Sequence, residues 1–168
     1  MRVDCQRLSF VVVEDDVYMR RVLQAMLHGF GAGEIHEAVD GPAGLEMIRI
    51  HRPDIVLTDW ELPGFSGLEL ARQLRDGAAR NPFVPIVMIT AHADKAHVVA
   101  ARDAGINEYL VKPIDARRLY ERILGIVVDQ RPFIRTRTYF GPDRRRGQQA
   151  PYRGPERRRP ATPSPRET

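Results

Sequence analysis

This 168-residue chain has a single cysteine, Cys5, so an internal disulfide is impossible and nothing points to an oxidising compartment. Long apolar runs are also missing. None approaches the ~18 residues that would cross a bilayer. The opening MRVDCQRLSF lacks both the apolar stretch and the small-residue cleavage site of a signal peptide. The expectation is a cytoplasmic protein with no integral membrane segment. No cluster of histidine and cysteine offers a zinc site. The five histidines show no pairing along the chain. What is present is 43% hydrophobic residues, enough for one domain with an appendage.

Charge divides the chain in two. Residues 1–128 hold 15 Lys+Arg against 18 Asp+Glu, a net of −3, whereas residues 129–168 hold 11 Arg against 4 acids, a net of +7. A mildly acidic domain therefore carries a strongly basic extension, and the overall +4 describes neither.

Five short apolar runs punctuate the acidic part: Ser9–Val13, Glu34–Ala38, Ile55–Thr58, Pro85–Ile89 and Glu108–Val111. Several are β-branched and nearly continuous, as expected of strands covered on both faces. Helical patterns lie between them, over Val17–His28, Pro42–Ile50, Gly67–Leu74 and Ala93–Ala104. A last one, capped by Asp115, runs to Val128. Strand–helix alternation repeated five times predicts an α/β domain, doubly wound, with a parallel sheet and right-handed crossovers.

In such a sheet ligands bind beyond the carboxyl ends of the strands. The first run leads into Glu14-Asp15-Asp16, the third into Asp59, the fourth into Thr90 and the fifth into Lys112-Pro113. Acids, a hydroxyl and one amine thus gather at one edge. Carboxylates brought together repel unless a cation sits between them, and oxygen-only ligands of this kind suit Mg²⁺. A carboxylate nucleophile beside a divalent cation, an ammonium and a hydroxyl is equipped for phosphoryl transfer.

The segments Val11-Val-Val-Glu-Asp-Asp16, Met19-Arg-Arg21, Asp59-Trp-Glu-Leu-Pro-Gly-Phe-Ser-Gly-Leu-Glu-Leu70, Ile89-Thr-Ala91 and Glu108-Tyr-Leu-Val-Lys-Pro113 resemble the CheY-like receiver family of response regulators, over about residues 7–128. The resemblance implies a flavodoxin-like five-stranded sheet in the order 2-1-3-4-5. It implies Asp59 as phosphoacceptor, Asp15 as direct Mg²⁺ ligand and Glu14 as the second acid acting through water. The backbone carbonyl of Glu61 would complete the metal site, and Asp16 would fall outside it. Thr90 resembles the switch hydroxyl, Lys112 the amine that pairs with the phosphoryl group, and Tyr109 the aromatic rotamer switch. The Lys112–Pro113 bond is expected to be cis. Glu61 and His92, each two residues past a site residue, would border the path of attacking water, His92 being the histidine placed to face the site. Trp60 reads as a packed or half-exposed loop aromatic.

The extension, residues 129–168, has little aliphatic content and reads as a disordered tail. It carries a repeat, Tyr139-Phe-Gly-Pro-Asp-Arg-Arg-Arg146 recurring 13 residues on as Tyr152-Arg-Gly-Pro-Glu-Arg-Arg-Arg159, a two-copy GP[DE]RRR motif. No DNA-binding fold fits in forty such residues. Two readings stay open: a solvated tail, or a binding element in which Arg144, Arg145, Arg146, Arg157, Arg158 and Arg159 engage an acidic protein, nucleic acid or anionic lipid.

The function expected is a stand-alone response regulator. It would take a phosphoryl group from a sensor histidine kinase or histidine-phosphotransfer protein and change its affinity for an output partner on the Ala93–Val128 face. No enzyme activity is expected beyond Mg²⁺-dependent self-phosphotransfer and autodephosphorylation. The competing class is a constitutive nucleic-acid-binding or scaffolding protein acting through the basic tail.

Overall fold

The computed structural model describes residues 4–128 and 131–144. A short 3₁₀ turn, Cys5–Arg7, leads into β1 (Ser9–Val13). Then follow α1 (Val17–Gly29), β2 (Glu34–Ala38), α2 (Gly41–His51), β3 (Ile55–Thr58), α3 (Gly67–Arg75), β4 (Ile86–Thr90), α4 (Lys95–Asp103), β5 (Glu108–Val111) and α5 (Ala116–Val128). Five parallel strands pair in the order β2-β1-β3-β4-β5. The flavodoxin-like order expected from the family resemblance is the one found.

Each helix start has a chemical cause. The side chains of Asp16, Asp40, Ser66 and Asp94 accept from the backbone N–H three residues on, and Asp115 does the same for Arg118. One such cap stabilises its helix by roughly 1 kcal/mol. The cap at Asp94 sets the start of α4 at Lys95, two residues later than the apolar pattern suggests. The fourth strand begins at Ile86 rather than Pro85, because proline has no N–H for the ladder; its carbonyl still accepts from Val56 N at 2.9 Å.

Alternation along the strands sends side chains to two cores. Val11, Val13, Val56, Ile86 and Met88 pack with Ile48, Leu70, Leu74 and Ala101, so α2, α3 and α4 cover one face. Phe10, Val12, Leu57, Val87 and Ile89 pack with Leu23, Leu27, Leu119 and Ile123, so α1 and α5 cover the other. With both faces closed, polar chemistry is confined to the strand ends.

The composition of the extension suggested a disordered tail, but residues 131–144 carry structure. Phe133–Arg135 (β6) and Phe140–Pro142 (β7) form an antiparallel hairpin. It docks at the amino ends of β4 and β5. Aliphatic burial is replaced there by aromatic and cation–π contact. Phe83, Phe133 and Phe140 lie with ring centroids 5.3–5.6 Å apart, and the guanidinium of Arg75 sits 5.0 Å above the Phe133 ring. Tyr139 is 8% exposed and donates its hydroxyl proton to the Pro142 carbonyl at 2.7 Å. Arg144 lies 3.9 Å above the Tyr139 ring and pairs with Asp103 at 3.3 Å. The first repeat copy is thus, as far as Arg144, part of the folded body. Arg145, Arg146 and the second copy with Arg157, Arg158 and Arg159 lie outside the described residues.

Gly141 shows how tight the docking is. A Cβ there would fall 2.5 Å from the Tyr139 hydroxyl and 2.7 Å from Gly105 Cα. Gly141→Ala is therefore expected to cost roughly 1–3 kcal/mol, read as a lower urea midpoint. An unchanged midpoint would mean that the hairpin adds nothing to stability.

Candidate functional site

The carboxyl ends of β1, β3, β4 and β5 build the site. Pairing of β1 with β3 sets Val13 beside Thr58, so the next residues on each strand, Glu14 and Asp59, fall together. Asp59 N donates to the Val13 carbonyl at 3.0 Å. Glu14 is 1% exposed and Asp59 8%. Lys112, delivered by the end of β5, places Nζ 3.0 Å from Glu14 Oε2 and 2.9 Å from Asp59 Oδ2. The Lys112–Pro113 peptide is cis, as expected.

Burial alone would lower the lysine's pKa, but its hydrogen bonds to Asp59 and Glu14 outweigh that and hold it above the ordinary lysine value. Burial pushes the Glu14 carboxyl up from the usual carboxylate range, against the Lys112 hydrogen bond. The other oxygen of Asp59, Oδ1, accepts from Trp60 N at 2.6 Å.

Asp15 stands exposed at the lip, and one carboxylate oxygen each from Glu14, Asp15 and Asp59 lie within 4.8 Å of one another. This all-oxygen set beside one half-buried ammonium fits a small hard dication. Asp16 is turned to other work: its Oδ1 caps α1 through Met19 N at 2.7 Å. Thr90, 1% exposed, has its hydroxyl 3.4 Å from His92 N. Tyr109 donates to the His92 carbonyl at 2.7 Å, which ties β5 to the loop after β4. A cleft of about 530 Å³ opens over these residues, lined among others by Asp15, Trp60, Glu61, Ser66, His92 and His97. A larger one, about 620 Å³, lies at the far end of the sheet beside α5 and the hairpin, away from this chemistry.

The family model described as the response regulator receiver domain matches residues 10–124. The chain belongs to the response-regulator receiver family. Chemotaxis protein CheY of Pseudomonas aeruginosa is 35% identical to this receiver over 116 residues, 69% of this chain and 93% of that protein. CheY-3 of Vibrio cholerae is 34% identical over 119 residues, 70% of this chain and 90% of that protein. A solved CheY-like receiver domain protein from Methanospirillum hungatei superposes with a TM-score of 0.67 at 26% identity, covering 73% of this chain and 95% of the other. Among the described residues of this receiver, no helix is long and apolar enough to cross a membrane.

Sequence reasoning missed two features of the receiver's site. Gly67 is one: a Cβ there would fall 1.8 Å from the Asp59 carbonyl oxygen, so its lack of a side chain lets α3 begin against the acceptor's own backbone. Its signal was a glycine directly after the capping Ser66. The histidines are the other. His92 stacks on His97 with centroids 4.1 Å apart, and His36 stacks on His51 at 3.5 Å. Histidine pairing therefore exists, and His97 as well as His92 lines the cleft. His92 and His97 meet across the turn before α4, and His36 on β2 meets His51 at the end of α2, at spacings that give no hint of contact.

Proposed function

We propose that this receiver is a phosphorylation-controlled response regulator whose acceptor is Asp59. The observation that carries the reading is Lys112 Nζ, held between Glu14 and Asp59 at 3.0 and 2.9 Å. An ammonium so placed stabilises the ionised acceptor and stands ready for the added phosphoryl oxygens. An Asp59 oxygen attacks the phosphorus of a phosphohistidine. The P–N bond breaks, its electron pair returns to the imidazole, which takes up a proton, and an acyl phosphate remains. Mg²⁺ held by Asp15, Asp59, Glu14 through water and the Glu61 carbonyl would neutralise charge on the transferring group.

Lys112 moves from the Asp59 carboxylate to a phosphoryl oxygen, and the Thr90 hydroxyl donates to another. His92 N lies against the Thr90 hydroxyl and its carbonyl against the Tyr109 hydroxyl. A shift of Thr90 is therefore felt by Tyr109, and through it by the surface of α4, β5 and α5. That surface is the docking face for an output protein, and the donor is a sensor histidine kinase or a phosphotransfer protein. Turnover is confined to self-phosphorylation and autodephosphorylation, and the place of action is the cytoplasm. The receiver test is Trp60 emission: Mg²⁺ and then acetyl phosphate should each change it in the wild type. A silent Trp60 in both steps would count against the reading.

The rival reading rested on tail arginines free to bind. Of the six repeat arginines, Arg144 is committed to Tyr139 and Asp103, and the other five lie outside the described residues.

Glu61 and His92 set the lifetime of the acyl phosphate. They meet across the cleft mouth, His92 Nε2 lying 2.9 Å from Glu61 Oε1, where water must pass. Replacing both with alanine is expected to change the dephosphorylation rate by roughly threefold or more, about 0.7 kcal/mol of barrier. The half-life of the purified phosphoprotein measures this, and an unchanged value would refute it.

A further inference from the structure

The mouth of the cleft holds a side-chain set that the transfer of a phosphoryl group to Asp59 does not use. His97, in the first turn of α4, stacks on His92 with the rings 2° from parallel. The indole of Trp60 meets both rings edge-on, at 4.7 Å for His97 and 5.9 Å for His92. Asp94 divides its carboxylate: Oδ1 caps α4 through His97 N at 3.1 Å, while Oδ2 faces His97 Nδ1. Glu61 reaches His92 Nε2 from the loop after β3. One nitrogen from each imidazole and one oxygen of Asp94 lie within 4.8 Å of one another. All four side chains are partly open to solvent, so an ion can enter and the groups can draw together.

We propose that His92, His97 and Asp94, with Glu61 as a fourth donor, form a binding site for a divalent transition-metal ion of the zinc or nickel class, separate from the acidic pocket of Glu14, Asp15 and Asp59. Two imidazole nitrogens beside carboxylate oxygens favour such borderline ions over Mg²⁺, which prefers oxygen alone. Bonds of about 2.0–2.2 Å require the ligand atoms to close in by roughly an ångström. The exposed side chains allow this, with Trp60 as a wall that limits ring rotation. Each imidazole must be neutral to bind, so affinity falls as the histidines protonate. An ion there would bridge the loops after β3 and β4 directly over the entrance to Asp59. It would therefore slow exchange of phosphodonor and water in the cleft.

The test is competition of the full-length protein with a chromophoric chelator for Zn²⁺, read alongside Trp60 emission. The expected result is one ion per chain at this site, retained in Asp15→Ala and in His36→Ala/His51→Ala. His92→Ala and His97→Ala should each weaken binding tenfold or more. Asp94→Asn, whose amide oxygen still caps α4, should weaken it with no loss of thermal stability. The proposal is overturned if His97→Ala binds as tightly as wild type. It is also overturned if Asp15→Ala abolishes binding, which would put the ion in the acidic pocket, or if loss follows the His36 and His51 changes instead.

Discussion

Asp15→Ala is expected to slow labelling of the protein by acetyl phosphate about a hundredfold or more, whereas Asp16→Ala should change it little. The reason is electrostatic. Asp59 must receive a group carrying negative charge in a pocket that already holds Glu14, and Lys112 is a single cation shared between the two. Without a second cation the approach is repulsive, and losing one preorganised charge contact at a transferring group typically costs about 10²–10³ in rate.

Glu14 sharpens the point. Its pKa is raised by burial, the Lys112 hydrogen bond opposing. For a group with a raised folded-state pKa, the favourable contribution is complete below the unfolded value and is lost as pH rises through the folded one. Ionising Glu14 therefore works against folding, and a bound cation relieves that cost. Mg²⁺ should accordingly raise the thermal midpoint of wild type and do much less for Asp15→Ala. Asp16 caps α1 and does not join the acid cluster, so its removal should cost a helix cap, roughly 1 kcal/mol, with labelling nearly intact. The opposite order of the two variants would show that the acid pair is misassigned.

Arg75→Met should be strongly destabilising although it lies outside the site, by roughly 3 kcal/mol or more. Arg75 is 4% exposed. It donates to the carbonyls of Pro82, Val84 and Gly105 and to Asn107 Oδ1, at 2.8–3.0 Å. Burial lowers its pKa to about 10, which leaves it protonated at neutral pH. Methionine keeps most of the apolar stem but strands several buried acceptors, each worth about 1–3 kcal/mol when unpaired. It also removes the cation beneath Phe133, so the hairpin should loosen with it. Urea unfolding followed by tryptophan emission gives the free energy. A loss under about 1 kcal/mol would mean that water replaces the guanidinium and that the hairpin does not depend on it.

These two residues also mark what the sequence could reveal. Asp15 and Asp59 were legible because strands buried on both faces read as near-continuous apolar runs, and whatever follows such a run is carried to the ligand-binding edge. The order of the strands came through resemblance, since alternation of strand and helix leaves it open. Arg75 was not legible: at the end of an amphipathic helix it looks like any solvated arginine, and its partners are mostly backbone carbonyls, which have no sequence signature. The hairpin was hidden for a related reason. Its burial comes from Phe133, Tyr139 and Phe140 sandwiched with Arg75, Arg135 and Arg144, and an arginine-rich, aliphatic-poor stretch reads as solvated. The His92–His97 stack depends on Trp60 and on the turn before α4, which become neighbours only in the fold.

The most direct test of the account is side-by-side labelling of wild type and Asp59→Asn with acetyl phosphate and Mg²⁺, followed by intact mass. The account predicts one acid-stable, base-labile phosphoryl group on the wild type and none on Asp59→Asn, with both proteins folded. Full labelling of Asp59→Asn would contradict it.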